Sequence, residues 1–167
     1  MPLLQERYMK ELKYIMKVSS MWVYSSKNGL DQIDFHDCII EVINIEHKLI
    51  LNLESVNVLS EHKLNPYDVA KNTDKCTLEF YNVESYESGI FDRNEETKTN
   101  IDLTNNKDFE ILKLDIIEEG KRNLYRIFGV STSYNNEFSE IIIKAEYTII
   151  NWNDYITDAW FVDWPMK

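Results

Sequence analysis

Glu140-Ile141-Ile142-Ile143-Lys144-Ala145-Glu146-Tyr147-Thr148-Ile149 alternates between apolar and polar positions. Ile141, Ile143, Ala145, Tyr147 and Ile149 fall on one face, with Glu140, Lys144, Glu146 and Thr148 mostly on the other. Branched side chains at a period of two form a half-buried strand rather than a helix. The same period recurs upstream. Cys76, Leu78 and Phe80 alternate with Thr77, Glu79 and Tyr81, and Leu49, Leu51 and Leu53 follow a polar turn at Glu46-His47-Lys48. The stripe from Ile141 to Ile149 is therefore expected to bury against Leu49, Leu51, Leu53, Leu78 and Phe80.

Working outward, Ile33 and Phe35 alternate with polar neighbours. Cys38, Ile40 and Val42 then face one way and Ile39, Ile43 and Ile45 the other, as in a strand covered on both sides. Val56 and Val58 fall in the opposite phase, which predicts a bulge near Ser55. Residues 60–75 are polar, with a turn at Asn65-Pro66. Phe109–Ile117 and Leu124–Val130 flank a hairpin turn at Glu118-Glu119-Gly120-Lys121, and Tyr134–Glu137 is the next turn. Residues 84–107 carry Gly89 among many polar residues and read as a long exposed loop, with a short element around Ile90-Phe91. Before the strands, Leu4, Tyr8, Leu12 and Ile15 form a helical stripe over residues 3–18.

The expected fold is mainly β: one N-terminal helix, then an antiparallel meander of six to seven strands closing into a sandwich or a partly open barrel. A single domain over 1–167 is expected, with helix 3–18, a β core over 31–150 holding the acidic loop 84–107, and an aromatic tail over 151–167.

Composition excludes several functions. Lys plus Arg is 18 and Asp plus Glu is 29, a net charge of −11. A binder of nucleic-acid phosphates or of an anionic membrane needs a basic face, so neither partner is expected. The four glycines make neither a P-loop nor a dinucleotide motif. The opening Met1-Pro2-Leu3-Leu4-Gln5-Glu6-Arg7 lacks the order of a secretory signal, and no apolar run approaches a bilayer span. A cytoplasmic protein is expected, with Cys38 and Cys76 as buried thiols rather than a disulfide.

Three constellations suggest chemistry. His36-Asp37 has the look of a metal-ligand pair, but His47 and His62 lie in polar, turn-like stretches with no helical scaffold. No metal and no cofactor is expected. No Gly-x-Ser-x-Gly elbow occurs, and neither cysteine has a basic neighbour in sequence to lower its pKa, so no catalytic residues are assigned. The tail differs. Trp152, Tyr155, Trp160, Phe161 and Trp164 are interleaved with Asp154, Asp158 and Asp163, and three of the four tryptophans lie here. Such a tail either plugs the open end of the sheet or forms a surface with aromatic anchors and a carboxylate rim.

Charge separates into segments: −4 over 18–60, −4 over 84–96 and −4 over 127–167, against +2 over 1–17. The candidate partner-binding residues are Glu84, Glu87, Asp92, Glu95 and Glu96 in the loop, with Trp152, Asp154, Tyr155, Asp158, Trp160, Asp163 and Trp164 in the tail. Together they would capture a basic protein, attracted at long range. A small-ligand barrel or an enzyme using an apolar barrel mouth is the alternative, and a structural subunit of an assembly the second. A deep apolar cavity would favour the ligand reading; a filled core would favour the partner reading.

The run Asp34-Phe35-His36-Asp37-Cys38-Ile39-Ile40, continuing into Leu49-Ile50-Leu51-Asn52-Leu53, resembles the opening hairpin of small uncharacterised bacterial β-rich proteins. Some of these look like immunity proteins of polymorphic toxin systems. The resemblance implies an immunity-type protein without a catalytic motif and carries no site residue with it; the acidic charge adds the expectation that it inhibits a basic toxin such as a nuclease.

Overall fold

The computed structural model describes residues 4–7, 9, 22–94 and 96–164. Most of the expected helix over 3–18 lies outside these residues; 4–7 and 9 are helical. The rest is antiparallel β structure. In chain order the strands are β1 (Tyr24–Lys27), β2 (Ile33–Asp34), β3 (Ile39–Ile45), β4 (Leu49–Leu53), β5 (Asn57–Val58), β6 (Lys71–Thr73) and β7 (Cys76–Tyr81). They continue as β8 (Ser85–Phe91), β9 (Lys98–Ile101), β10 (Phe109–Glu119), β11 (Arg122–Ser131), β12 (Glu137–Ala145), β13 (Tyr147–Trp152) and β14 (Tyr155–Asp158). These fourteen strands replace the six or seven expected. They form a ten-stranded sheet, ordered β1-β13-β7-β4-β3-β10-β11-β12-β8-β9, and a four-stranded sheet, ordered β14-β6-β5-β2. The large sheet is not closed: β1 and β9 remain its edges.

One double strand explains how the large sheet curls. β12 and β13 are separated only by Glu146, yet they sit near opposite ends of the ladder. β7 and β8, separated by residues 82–84, do the same. The two long segments pair on both sides of the bend, Thr77–Tyr81 with Tyr147–Asn151 and Ser85–Ile90 with Ser139–Lys144. At the bend between them Glu146 N–H donates to Tyr81 C=O at 3.0 Å and Glu84 N–H to Lys144 C=O at 2.8 Å. Tyr81 and Tyr147 stack there with ring centres 4.9 Å apart. The two wings of the sheet therefore share one continuous, bent pair of chains.

That bend corrects the single strand expected over 140–149. Ile141, Ile143 and Ala145 are buried, as are Leu49, Leu51, Leu53, Leu78 and Phe80. Beyond Glu146 the facing reverses: Thr148 and Ile150 are buried, and Tyr147 and Ile149 only half so. A bulge does the same in β3. Between Ile40 and Val42 the register with β4 shifts, so Ile40 and Ile43 are buried and Val42 turns outward. Asp37, with φ +66, turns the chain between β2 and β3, so Ile33 and Phe35 do not continue into one long strand. Val56 and Val58 change phase because the chain leaves the large sheet for the small one.

The expected loop over 84–107 is also corrected. It forms the β8–β9 hairpin and a short 3-10 turn, Leu103–Asn105, that buries Leu103 and Asn106. Asn106 Nδ2 donates to Ser88 Oγ at 2.8 Å and to Ser139 Oγ at 2.9 Å, tying the turn beneath the hairpin. The polar stretch 60–75 is organised by Asn65, whose Nδ2 donates to the carbonyls of Val58, Leu59 and Val69. Gly129 is required where β11 crosses β10, because a Cβ there would strike the Glu110 carbonyl and the Phe109 ring.

Large apolar side chains occupy the interior. Phe80, Phe109, Tyr125 and Trp152 are fully buried with Ile40, Leu51, Ile111, Ile127 and Ile143. Open grooves lie beside Val42 and Thr77, beside Phe91 and Tyr134, and between His36 and Lys113.

Candidate protein-binding site

The tail divides into a structural half and an exposed half. Trp152 ends β13 and is fully buried. It stacks on Tyr24 at 5.4 Å and meets the His62 ring edge-on at 5.7 Å. Tyr155 packs against both Tyr24 and Trp152, and its hydroxyl donates to Leu64 C=O at 2.7 Å. Burial pushes its phenol up to about 12. These two residues join the large sheet to the small one, so they plug the core and present no anchor. Asp154 is exposed in the link between them. The Asp74 carboxylate shapes that link by accepting the N–H groups of Asn153 and Asp154 at 3.1 Å each.

After β14 the chain emerges. Asp158 is bridged to Lys71 at 2.6 Å, and Lys71 also lies 4.5 Å from the centre of the Tyr67 ring. Asp158 therefore holds Lys71's pKa up through that bond. Ala159 N–H donates to Ala70 C=O at 2.9 Å and its side chain is buried, which anchors the turn that follows. The backbone bonds Val162 N–H to Ala159 C=O and Trp164 N–H to Phe161 C=O close it. Trp160 lies near the centre of the resulting cluster, perpendicular to Phe161 (87°) and to Trp164 (88°), at 5.5 and 5.7 Å. Trp160 is 50% exposed and Trp164 63%. Ile156 stands equally open on β14.

The turn between β2 and β3 approaches the same cluster. His36 lies 6.1 Å from Trp160, and its Nδ1 is 3.1 Å from the Asp37 carboxylate. Asp34 accepts the His36 N–H at 2.8 Å, which fixes the turn. His36, Asp37 and the two indoles thus form one exposed corner, and Asp163 is exposed next to Trp164 in the chain. His36 and Asp37 belong to it as neighbours of Trp160, a placement their sequence context did not reveal. Their only local signal was an Asp-x-x-Asp turn across a break in strand period.

His47 is exposed in the β3–β4 turn, far from this arrangement in the chain. His62, expected in a polar turn, is buried. Its Nδ1 accepts Leu64 N–H at 3.1 Å and its Nε2 lies 3.2 Å from Ser26 Oγ. The three histidines are placed apart, and no group of three His, Cys, Asp or Glu positioned to hold a metal occurs among the described residues. Cys38 and Cys76 are both buried and free. Burial, with the Asp34 charge adding to it, pushes the Cys38 thiol up to about 12; burial raises Cys76 too.

The acidic segment is held by its own partners. Glu84 pairs with Lys144 at 3.3 Å, and Glu87 lies 3.8 Å from Lys98. Asp92 accepts Thr97 Oγ1 at 2.8 Å and the N–H groups of Asn94 and Glu96, which hold its carboxyl below the ordinary range. Glu96 is exposed, and Glu95 lies outside the described residues. The bent double strand separates this segment from the tail. Ile90 pairs with Ser139 near one end, and Thr77 pairs with Asn151 near the other. Among the described residues no hydrogen bond, ion pair or ring contact joins 84–96 to 151–164.

No helix among the described residues is long and apolar enough to cross a membrane. Comparison with protein-family models, with curated protein sequences and with solved structures returns no match.

Proposed function

We propose that the protein is a non-catalytic, acidic binding domain that captures a basic protein through the corner formed by Trp160, Trp164, His36, Asp37 and Asp163. The observation that carries this reading is the pair of perpendicular, solvent-exposed indoles beside carboxylates. Leaving two tryptophans in water forgoes about 2 kcal/mol of burial each. A partner that desolvates them recovers it, and the carboxylates select a partner bearing Lys or Arg. The large side chains that occupy the interior support a surface mode over a ligand held in a barrel mouth, and the charge of −11 supports a basic partner. An inhibitor of a basic toxin such as a nuclease, acting in the bacterial cytoplasm, is the concrete form of the proposal. Acidic side chains would occupy a surface that otherwise holds phosphates.

The test compares wild type with Trp160→Ala/Trp164→Ala. Basic proteins retained from extract are identified, purified and titrated against both forms. The expected result is a partner of high pI whose affinity falls at least roughly tenfold in the double variant. Its association rate should drop as the Debye length shortens from about 30 Å at 0.01 M salt to about 8 Å at 0.15 M. Equal binding by both forms would overturn the proposal.

A further inference from the structure

Among the described residues, only the first part of β10 pairs with a strand on both sides. Phe109 and Glu110 pair with Ile40 and Ile39 of β3, and Ile111 exchanges backbone bonds with Asp37 and Cys38 at 2.8 Å. The register with β11 then slips at Leu112. From Lys113 to Glu119 β10 pairs with β11 alone among the described residues. Among the described residues these seven have no second backbone partner, an edge of the kind that proteins usually shorten, cover or load with charge, and Lys113 and Leu114 there line a groove with Asp31 and His36. In the middle of this edge stand Ile116 and Ile117, 40% and 47% exposed.

We propose that this edge pairs with the same edge of a second copy, antiparallel about a two-fold axis at Ile116, so that one sheet runs through both molecules. The surface is different from the tryptophan corner and the inference does not rest on it.

Symmetry and charge select the register. A two-fold axis normal to the sheet keeps each face on its own side, so residues can oppose only residues of the same face. Leu114, Ile116 and Glu118 share one face, opposite Ile127, Tyr125 and Asn123 of β11; Lys113, Asp115, Ile117 and Glu119 share the other. Centring the axis on Ile116 places Ile116 against Ile116 and Lys113 against Glu119, the latter twice. Centring on Asp115 opposes two aspartates. Centring on Ile117 opposes Lys113 with Lys121 and Asp115 with Glu119. Centring on Leu114 requires the edge that β3 already occupies. One register alone combines an apolar centre with opposite charges at both ends. Lys113 now lies 3.5 Å from Asp115, and Glu119 lies 3.5 Å from Lys144. Both charges are exposed enough to turn toward a partner strand.

Edge pairing buries little area, so the dimer forms with rising concentration rather than at all concentrations. Sedimentation of the full chain from about 5 to about 500 µM should show the mass moving from 19.9 kDa toward twice that value. Lys113→Glu and Glu119→Lys each bring like charges together and should weaken association by roughly tenfold. The double variant restores opposite charges and should recover it. Circular dichroism checks that these surface changes leave the fold intact. A wild type that stays monomeric throughout, or single variants that associate as wild type does, would overturn the proposal. Weakened single variants without recovery in the double variant would overturn the register.

Discussion

Phe80 and Tyr125 meet edge to face with ring centres 5.1 Å apart, although β4, β3 and β10 lie between their strands in the ladder. The contact crosses the interior of the curled sheet and locks its two sides together. Phe80→Ala should cost about 3–5 kcal/mol, since neighbours on both sides cannot collapse into the gap. Urea unfolding followed by circular dichroism measures it, and a loss below about 1 kcal/mol would show the interior to be loosely packed. Ile143→Asp, a carboxylate in the same core, should leave the chain unfolded.

Glu140 is buried on the face of β12 that the sequence marks as polar. Its Oε2 accepts from Arg126 at 2.8 Å, and Lys98 lies 3.8 Å from its Oε1. Arg126→Ala would leave that carboxylate with one distant cation. We expect a loss of about 2 kcal/mol, less than for a fully enclosed pair because the guanidinium is half exposed. Glu140→Gln, which keeps a hydrogen-bonding group, should cost less. The opposite ranking in denaturant melts would contradict this account.

His62 sets an acid limit on stability. Burial, reinforced by nearby Lys63, lowers its folded pKa below the ordinary 6.5. The unfolded chain therefore takes up the proton first as pH falls. The stability that neutral His62 contributes is complete above 6.5 and drains away as pH drops below it toward the folded value. The melting temperature should decline across that window. His62→Gln should flatten the decline, and a slope unchanged by the substitution would assign it to other groups.

Cys38 and Cys76 should resist alkylation at pH 8, because burial holds both thiols protonated. Labelling should become fast only in denaturant. Rapid modification of the folded protein would require an opening of the β3–β4–β7 region.

Period-two alternation located the core well wherever a strand stays straight: Cys76–Tyr81 and Leu49–Leu53 bury the side chains it indicated. It failed where one residue interrupts the ladder, at Glu146 and at Glu41, because a single extra residue reverses every facing beyond it. The acidic run 84–96 read as part of an exposed loop because its cations, Lys98 and Lys144, are contributed by other segments. His62 read as a turn residue because the hydroxyl beside it comes from Ser26, 36 positions away. In the tail, residue type suggested anchors but could not separate Trp152, which the β13–β14 crossing buries, from Trp160 and Trp164, which follow it into solvent.

The pairing of Tyr24–Lys27 with Ile149–Trp152 has a consequence for the order of events during synthesis. The bond from Val23 N–H to Asn153 Oδ1 spans 130 positions. At about 5–20 residues per second, roughly ten seconds separate the two strands as they are made. Through that interval β1 waits with none of its ladder to β13 formed, while hairpins such as β10–β11 can zip as they emerge. Of the strands described, the first to be made is among the last to be seated, and its docking on β13 completes that edge of the sheet.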